Sequence, residues 1–191
     1  VNIALFAKSC PESIVPALPF LFKSPQHMHK CMDTEPGQIL IDALSRGQFV
    51  CLALFDSGTR NMYATKPIRR LTDLANMKMR IPPSPLWEAT CQMMQAQPTV
   101  MSIDDIATAM KAGLVDMAEN SIFAYEGFKH FEICKYYSKT EHVITPDVLV
   151  ISRKKWDALT FEQQSILASA AKEAALASRE LCLYLEKEVE S

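Results

Sequence analysis

Apolar and basic residues alternate through Met77-Lys78-Met79-Arg80-Ile81. A short strand here buries the methionines with Ile81 and turns the Arg80 guanidinium away from the core. A guanidinium presents a planar fork of donors that meets a carboxylate with two parallel hydrogen bonds, and a charge-assisted bond contributes about 1.5–3 kcal/mol net. Arg60, just past the turn signal Asp56-Ser57-Gly58-Thr59, offers a second fork, and Asn120 offers an amide. All three stand at or near the ends of predicted strands, where open α/β sheets take their ligands. This is equipment for holding a small anion rather than transforming one. The sequence has no nucleophile elbow, phosphate loop or metalloprotease motif and places no nucleophile beside a base, so no catalytic residue and no cofactor is expected.

The elements that position these groups follow from local pattern. Ser84 suits an N-cap and Pro85 a first helical residue, so the strand gives way to a helix running to about Ala96. Pro82 and Ser84 lie in that strand-to-helix turn and count as ligand-binding candidates. Trp87, in the helix's first turn, would supply an apolar pocket wall or core packing. Ser102 with Asp105 resembles a capping box ahead of Ile103, Ile106, Ala107 and Met110 at helical spacing, and Gly113 stops the turn. Leu114–Asn120 then reads as a strand.

Upstream, Asp33–Arg46 reads as a helix, Phe49–Phe55 as a buried strand, and a short second strand follows Arg60, so the order from 36 to 120 is largely alternating α and β. Val1–Ala7 reads as a core-like strand. His142–Ser152 reads as a long one, with the apolar run Val148–Ile151 fit for a central position. Thr160 and Gln163 form a capping box for a helix reaching Ser191, which at about 1.5 Å per residue is roughly 46 Å long. That exceeds the width of one small lobe. Its apolar stripe lacks a strict heptad, so it suits a brace between two lobes better than a coiled coil.

Several runs in order resemble one family. Ser-Gly-Thr-Arg-Asn (57–61), Asp-Leu-x-x-Met-Lys-Met-Arg-Ile-Pro-Pro-Ser-Pro (73–85), Gly-Leu-Val-Asp-x-x-Glu-Asn (113–120) and Thr-Glu-His (140–142) are similar to the DctP-type solute-binding proteins of tripartite ATP-independent periplasmic (TRAP) transporters. Pro-Phe-Leu-Phe (19–22) and Lys-Lys-Trp-Asp-Ala-Leu (154–159) fit the same pattern, so the resemblance covers nearly the whole chain. It implies an α/β, two-lobed periplasmic-binding-protein-like (type II) fold with a long lobe-spanning helix. Residues 1–57 and 146–185 would form lobe I, and 58–145 with 186–191 would form lobe II, the carboxylate-binding side, with crossings near Asp56–Gly58 and Thr145–Pro146.

The same resemblance puts the main carboxylate-binding arginine at Arg80, the second ligand arginine at Arg60 and the ligand asparagine at Asn120. Glu119 and Asp147 would add polar contacts or form structural ion pairs, and His142 matches a recurrent position near the hinge. Where the family shows Val-Asp-Gly-Gln-Glu-Asn-Pro, this chain has Met117, Ala118 and Ser121 in place of Gly, Gln and Pro. The implied role is a monomeric extracytoplasmic protein that closes on an organic acid anion and delivers it to TRAP membrane subunits. A sensor module on the same fold is the main alternative.

Composition fits this reading. With 191 residues, 49% of them hydrophobic, and a formal charge of −2, the chain is an ordinary globular one with no basic surplus for nucleic acid. No apolar run approaches the ~20 residues that span a bilayer. Both ends read as cut, the first strand having nothing before it and the last helix no stop, so the chain reads as an internal fragment whose leader would lie upstream. Six cysteines, at 10, 31, 51, 91, 134 and 182, lack Cys-x-x-Cys spacing and read as buried free thiols. So many thiols sit awkwardly with an oxidising compartment. In Gln26–Met32, His27 with Cys31 and Met28 with Met32 lie one helical turn apart. A thiol- or metal-handling protein would use that cluster, but a helix with methionines packed inward is the expectation, and no metal site is expected.

Overall fold

The computed structural model describes residues 1–190. The chain divides into two compact units, one made of Val1–Gly58 and the segment that begins at Ile144, the other of Thr59–Val143. Residues 186–190, expected with lobe II, belong to the first unit, and Ser191, expected with them, lies outside the described residues.

In the first unit the amino terminus is not the expected strand. Asn2 makes one isolated bridge to Asp147, and its side chain then accepts from the Ala4 amide at 3.1 Å, which winds Ile3–Phe6 into a 3-10 turn. A second 3-10 segment, Pro11–Ala17, leads to helices α1 (Pro25–Met32) and α2 (Glu35–Leu44). Ser24 caps α1 by accepting from His27 N at 3.1 Å. Met28 and Met32 face inward, joining Ile3, Leu40, Leu44, Cys51 and Val148 in one apolar cluster. The Met28–Met32 row is therefore core.

Strand β1 (Phe49–Ala64) runs for 16 residues, where two short strands and a turn were expected. The turn signal at Asp56-Ser57-Gly58 is absorbed within the strand. Asp56 Oδ1 accepts from Gly58 N at 2.8 Å, and Gly58 takes φ +79°, a left-handed conformation that glycine adopts without a Cβ clash. Ser57 Oγ donates to the Thr145 carbonyl at 3.1 Å.

In the second unit, β2 (Lys78–Ile81) leads to α3 (Pro85–Met93), β3 (Gln97–Val100) to α4 (Ile106–Lys111), and β4 (Met117–Ser121) to α5 (Ile122–Gly127). Strand β5 (Tyr136–Ser152) returns the chain to the first unit, followed by α6 (Arg153–Trp156) and α7 (Phe161–Glu190). The sheet order is β3-β2-β4-β1-β5; β2 is parallel to β3 and β4, and β4 is antiparallel to β1. The capping box at the start of α7 is present, with Gln163 N donating to Thr160 Oγ1 at 3.3 Å and Thr160 N to Gln163 Oε1 at 3.0 Å. Ala171 and Ala175 of α7 pack on Ala53, small residues permitting a close approach to β1. Among the described residues no helix is long and apolar enough to cross a membrane.

Both faces of the second unit's sheet are covered. Met62, Ala64, Met79, Ile81, Met117 and Trp87 form the core on one face. Tyr63 and Ala118, their strand neighbours, join Ile106, Met110 and Cys134 on the other.

Candidate functional site: two arginines at one end of the sheet

The ends of β2 and β4 and the Arg60 position of β1 come together because β2 and β4 are parallel and Arg60 pairs with Ser121, the last residue of β4. Arg60, Arg80 and Asn120 therefore stand at the same end of the sheet. Their faces differ. Met62 pairs with Glu119 and Met79 with Met117, which puts Arg60, Met62, Glu119 and Met79 on one face and Arg80, the neighbour of Met79, on the other.

Arg60 is already engaged. Its Nε donates to Glu119 Oε2 at 2.7 Å and its Nη2 to Glu119 Oε1 at 2.8 Å, a fork-to-carboxylate pair. Nη2 also reaches the Glu119 carbonyl at 3.3 Å. Glu119 is 0% exposed. Burial alone pushes its carboxyl up, but the Arg60 guanidinium and then the nearby imidazole pull it further the other way, so it lies below the ordinary glutamate range. His142 Nε2 stands 3.6 Å from Glu119 Oε2, while His142 Nδ1 meets Thr140 Oγ1 at 2.8 Å. The Arg60 guanidinium lies over the Trp87 ring, 5.1 Å from its centroid, and Trp87 meets the His142 ring edge-on.

Trp87 is thus core, its face covered by Arg60, and not a free wall. Glu119 takes the ion-pair role of the two expected for it. Sequence reasoning had no means of pairing them, because Arg60 and Glu119 are 59 positions apart and meet only through the β1–β4 register.

Arg80 differs. It is 5% exposed, yet among the described residues it makes one hydrogen bond, from Nε to the Met101 carbonyl at 3.0 Å. No described carboxylate lies within ion-pair distance of it. Burial pulls this guanidinium below its ordinary value, with Glu119 acting in the opposite sense, but an arginine stays charged at any physiological pH. Expected to turn away from the core, Arg80 instead lies buried on the opposite face, which α4 and the Tyr63 cluster cover.

Two polar groups beside it are also incompletely used. Ser84 occupies the N-cap position of α3 but does not cap it; its backbone turns tightly, Ser84 N donating to the Pro82 carbonyl at 2.8 Å, and its buried hydroxyl has no partner among the described residues. Asn120 Oδ1 accepts from Ser121 N at 2.8 Å, and its Nδ2 bonds to none of the described residues. Pro82, half-buried, shapes the turn between Arg80 and Ser84.

Asn61 was missed by sequence reasoning. It pairs with Asn120 across the strands, and its Oδ1 accepts from Glu141 N at 2.8 Å, holding Glu141 at φ +45°. Asp147 belongs to the first unit, 3.9 Å from the Val1 amino nitrogen. In α1, His27 Nδ1 accepts from Lys23 N at 3.2 Å, and His29 Nε2 meets Asp56 Oδ2 at 2.7 Å. No group of three or more His, Cys, Asp or Glu suited to a metal ion occurs among the described residues. All six cysteines are free thiols, as expected, and four of them are buried.

All 191 residues match the family model described as bacterial extracellular solute-binding protein, family 7. A solute-binding protein of Chromohalobacter salexigens is 34% identical over 181 residues, covering 94% of this chain and 54% of that protein. A TRAP periplasmic solute-binding protein from Xanthobacter autotrophicus Py2, solved with β-D-galacturonate bound, matches with TM-score 0.95 and 37% identity over 98% of this chain and 63% of that one. Another from Pseudomonas putida F1, solved with D-glucuronate bound, matches with TM-score 0.95 and 33% identity over 100% of this chain and 63% of that one. The chain therefore spans about half the length of the curated relatives it matches.

Proposed function

Because this chain belongs to the bacterial extracellular solute-binding protein family 7, we propose that the full-length protein binds a small organic acid outside the cytoplasm and hands it to the membrane subunits of a TRAP transporter. It binds and releases its ligand without chemical change, so it is not an enzyme. The observation that carries this reading is Arg80, a buried cation whose guanidinium has one carbonyl partner and no carboxylate within reach among the described residues. A charge held out of water without a counter-ion costs several kcal/mol, a cost that an incoming carboxylate offsets through two charge-assisted hydrogen bonds. Ser84 Oγ and Asn120 Nδ2 are further donors for the same ligand, and Pro82 sets the spacing between Arg80 and Ser84. The ligand class is a sugar acid, by likeness to the two solved proteins that hold galacturonate and glucuronate.

Thermal-shift screening of the full-length protein against an organic-acid library that includes D-galacturonate and D-glucuronate tests this. A saturable stabilisation by one or more sugar acids is expected. If no organic acid shifts the melting curve or gives a calorimetric signal, the reading fails.

A further inference from the structure

We propose that Asn61 is a positioning residue for the organic-acid site, its side-chain carbonyl holding Glu141 in a left-handed backbone conformation that aims His142 at the β1–β4 pair. The inference rests on the organic-acid reading above and deepens it. Among the described residues, Glu141 is the one non-glycine with positive φ that lies inside a strand. A Cβ makes that conformation unfavourable, so it persists only where the surroundings hold it. The Glu141 side chain is exposed; its amide is what is held. Asn61 Oδ1 accepts from Glu141 N at 2.8 Å, and Asn61 is itself buried and fixed by its Nδ2 donating to the Thr59 carbonyl at 3.2 Å.

Both ends of this hydrogen bond bear on the site. Asn61 and Asn120 are partners in the β1–β4 register and, one residue on from Arg60 and Glu119, lie on the face of the sheet that carries Arg80. The residue after Glu141 is His142, 1% exposed, whose Nε2 stands 3.6 Å from Glu119 Oε2 and whose ring meets Trp87 edge-on at 6.2 Å. A left-handed residue within a strand re-aims the side chains that flank it, as a bulge does. The conformation of Glu141 therefore decides whether His142 keeps its 2.8 Å contact with Thr140 and its place against Glu119 and Trp87. If Glu141 relaxes to extended backbone, His142 turns away and the end of β4 that presents Asn120 loses its support. The held conformation is the one competent to bind, and the apparent affinity scales with the fraction of molecules that occupy it.

Calorimetry on the full-length protein, with whichever of D-galacturonate and D-glucuronate it binds more tightly, tests this through substitutions at both ends of the hydrogen bond. Asn61→Ala removes the acceptor and should weaken binding at least about fivefold. Glu141→Val, whose branched Cβ resists a positive φ, should do the same with Asn61 intact. Glu141→Gly adopts that φ unaided, so alone it should bind at least as tightly as wild type, and combined with Asn61→Ala it should restore affinity to within about twofold of wild type. Loss of packing at Asn61 would not be repaired by a change at an exposed position in another strand. Circular dichroism melts establish that the variants fold; if Asn61→Ala does not, the opposite effects expected of Glu141→Val and Glu141→Gly decide the matter. A folded Asn61→Ala protein that binds within about twofold of wild type, a double variant no better than Asn61→Ala, or equal effects of valine and glycine at position 141 overturns the inference and leaves the organic-acid reading standing, since wild type still binds. A wild-type protein that binds no organic acid at all removes that reading and this inference together.

Discussion

Replacing Arg80 should separate binding from stability, with opposite signs. Its Nε is committed to the Met101 carbonyl at 3.0 Å, so the terminal nitrogens are what a carboxylate would meet. Losing a charge-assisted pair in a partly desolvated site costs about 2–4 kcal/mol, or about 30- to 1000-fold in affinity. Arg80→Lys should recover little, since one ammonium cannot reproduce two parallel hydrogen bonds. In the unliganded protein the same residue is a liability, being a cation 5% exposed with no counter-ion in reach among the described residues. Arg80→Met, of similar length and apolar, should therefore melt no lower than wild type, and higher if the desolvation cost is fully felt. Calorimetry with D-galacturonate reads the first effect and thermal unfolding without ligand the second. A folded Arg80→Ala protein that binds within threefold of wild type would refute the site. An Arg80→Met protein that melts far below wild type would show that Arg80 is a structural ion.

Arg60→Ala should behave in the opposite way, destabilising the unliganded protein by about 3–5 kcal/mol because Glu119 is left as a buried, unpaired carboxylate; urea or thermal melts read this directly. Glu119 also predicts a pH dependence. Its folded value is lowered, so the pair's contribution is complete above the ordinary glutamate range and is lost as pH falls through the depressed folded value. Melting temperatures measured from neutral to acid pH should fall less steeply in Glu119→Gln than in wild type. Gly37→Ala should destabilise by about 1–3 kcal/mol, although the same change in an open helix stabilises by about 1 kcal/mol, because the new Cβ would lie 1.8 Å from the Met32 carbonyl oxygen; equal stability of the two proteins would disprove that close approach.

Much of this was legible in the sequence where one short-range rule acted alone. The alternation around Arg80 gave a strand, and Thr160 with Gln163 gave the start of α7. The failures share a cause. Asp56-Ser57-Gly58 carries turn residues, but Asp56 Oδ1 satisfies the Gly58 amide internally, so the chain accommodates a left-handed residue without leaving the sheet. Val1–Ala7 has a strand's composition, but a single bridge at Asn2 cannot hold a strand against a local side-chain cap. Ser84 has an N-cap's identity and position, yet the tight turn with Pro82 leaves its hydroxyl out of the cap. The division of labour between the arginines was hidden for a different reason. Local pattern gives a residue's face relative to its neighbours, and only the β1–β4 register brings Glu119 beneath Arg60.

That register has a hereditary consequence. Side chains in a strand alternate with period two, so the gain or loss of one residue between Gly58 and Arg60, or within Met117–Asn120, exchanges the faces of everything beyond it. After loss of Thr59, for example, Asn61 would stand where Arg60 meets Glu119, and the Arg60 guanidinium would turn to the other face of the sheet. Point substitutions alter this protein one contact at a time, whereas a single-codon insertion or deletion in β1 or β4 rewires both faces at once. Descent should therefore preserve the length of these two strands more strictly than the identity of most residues in them.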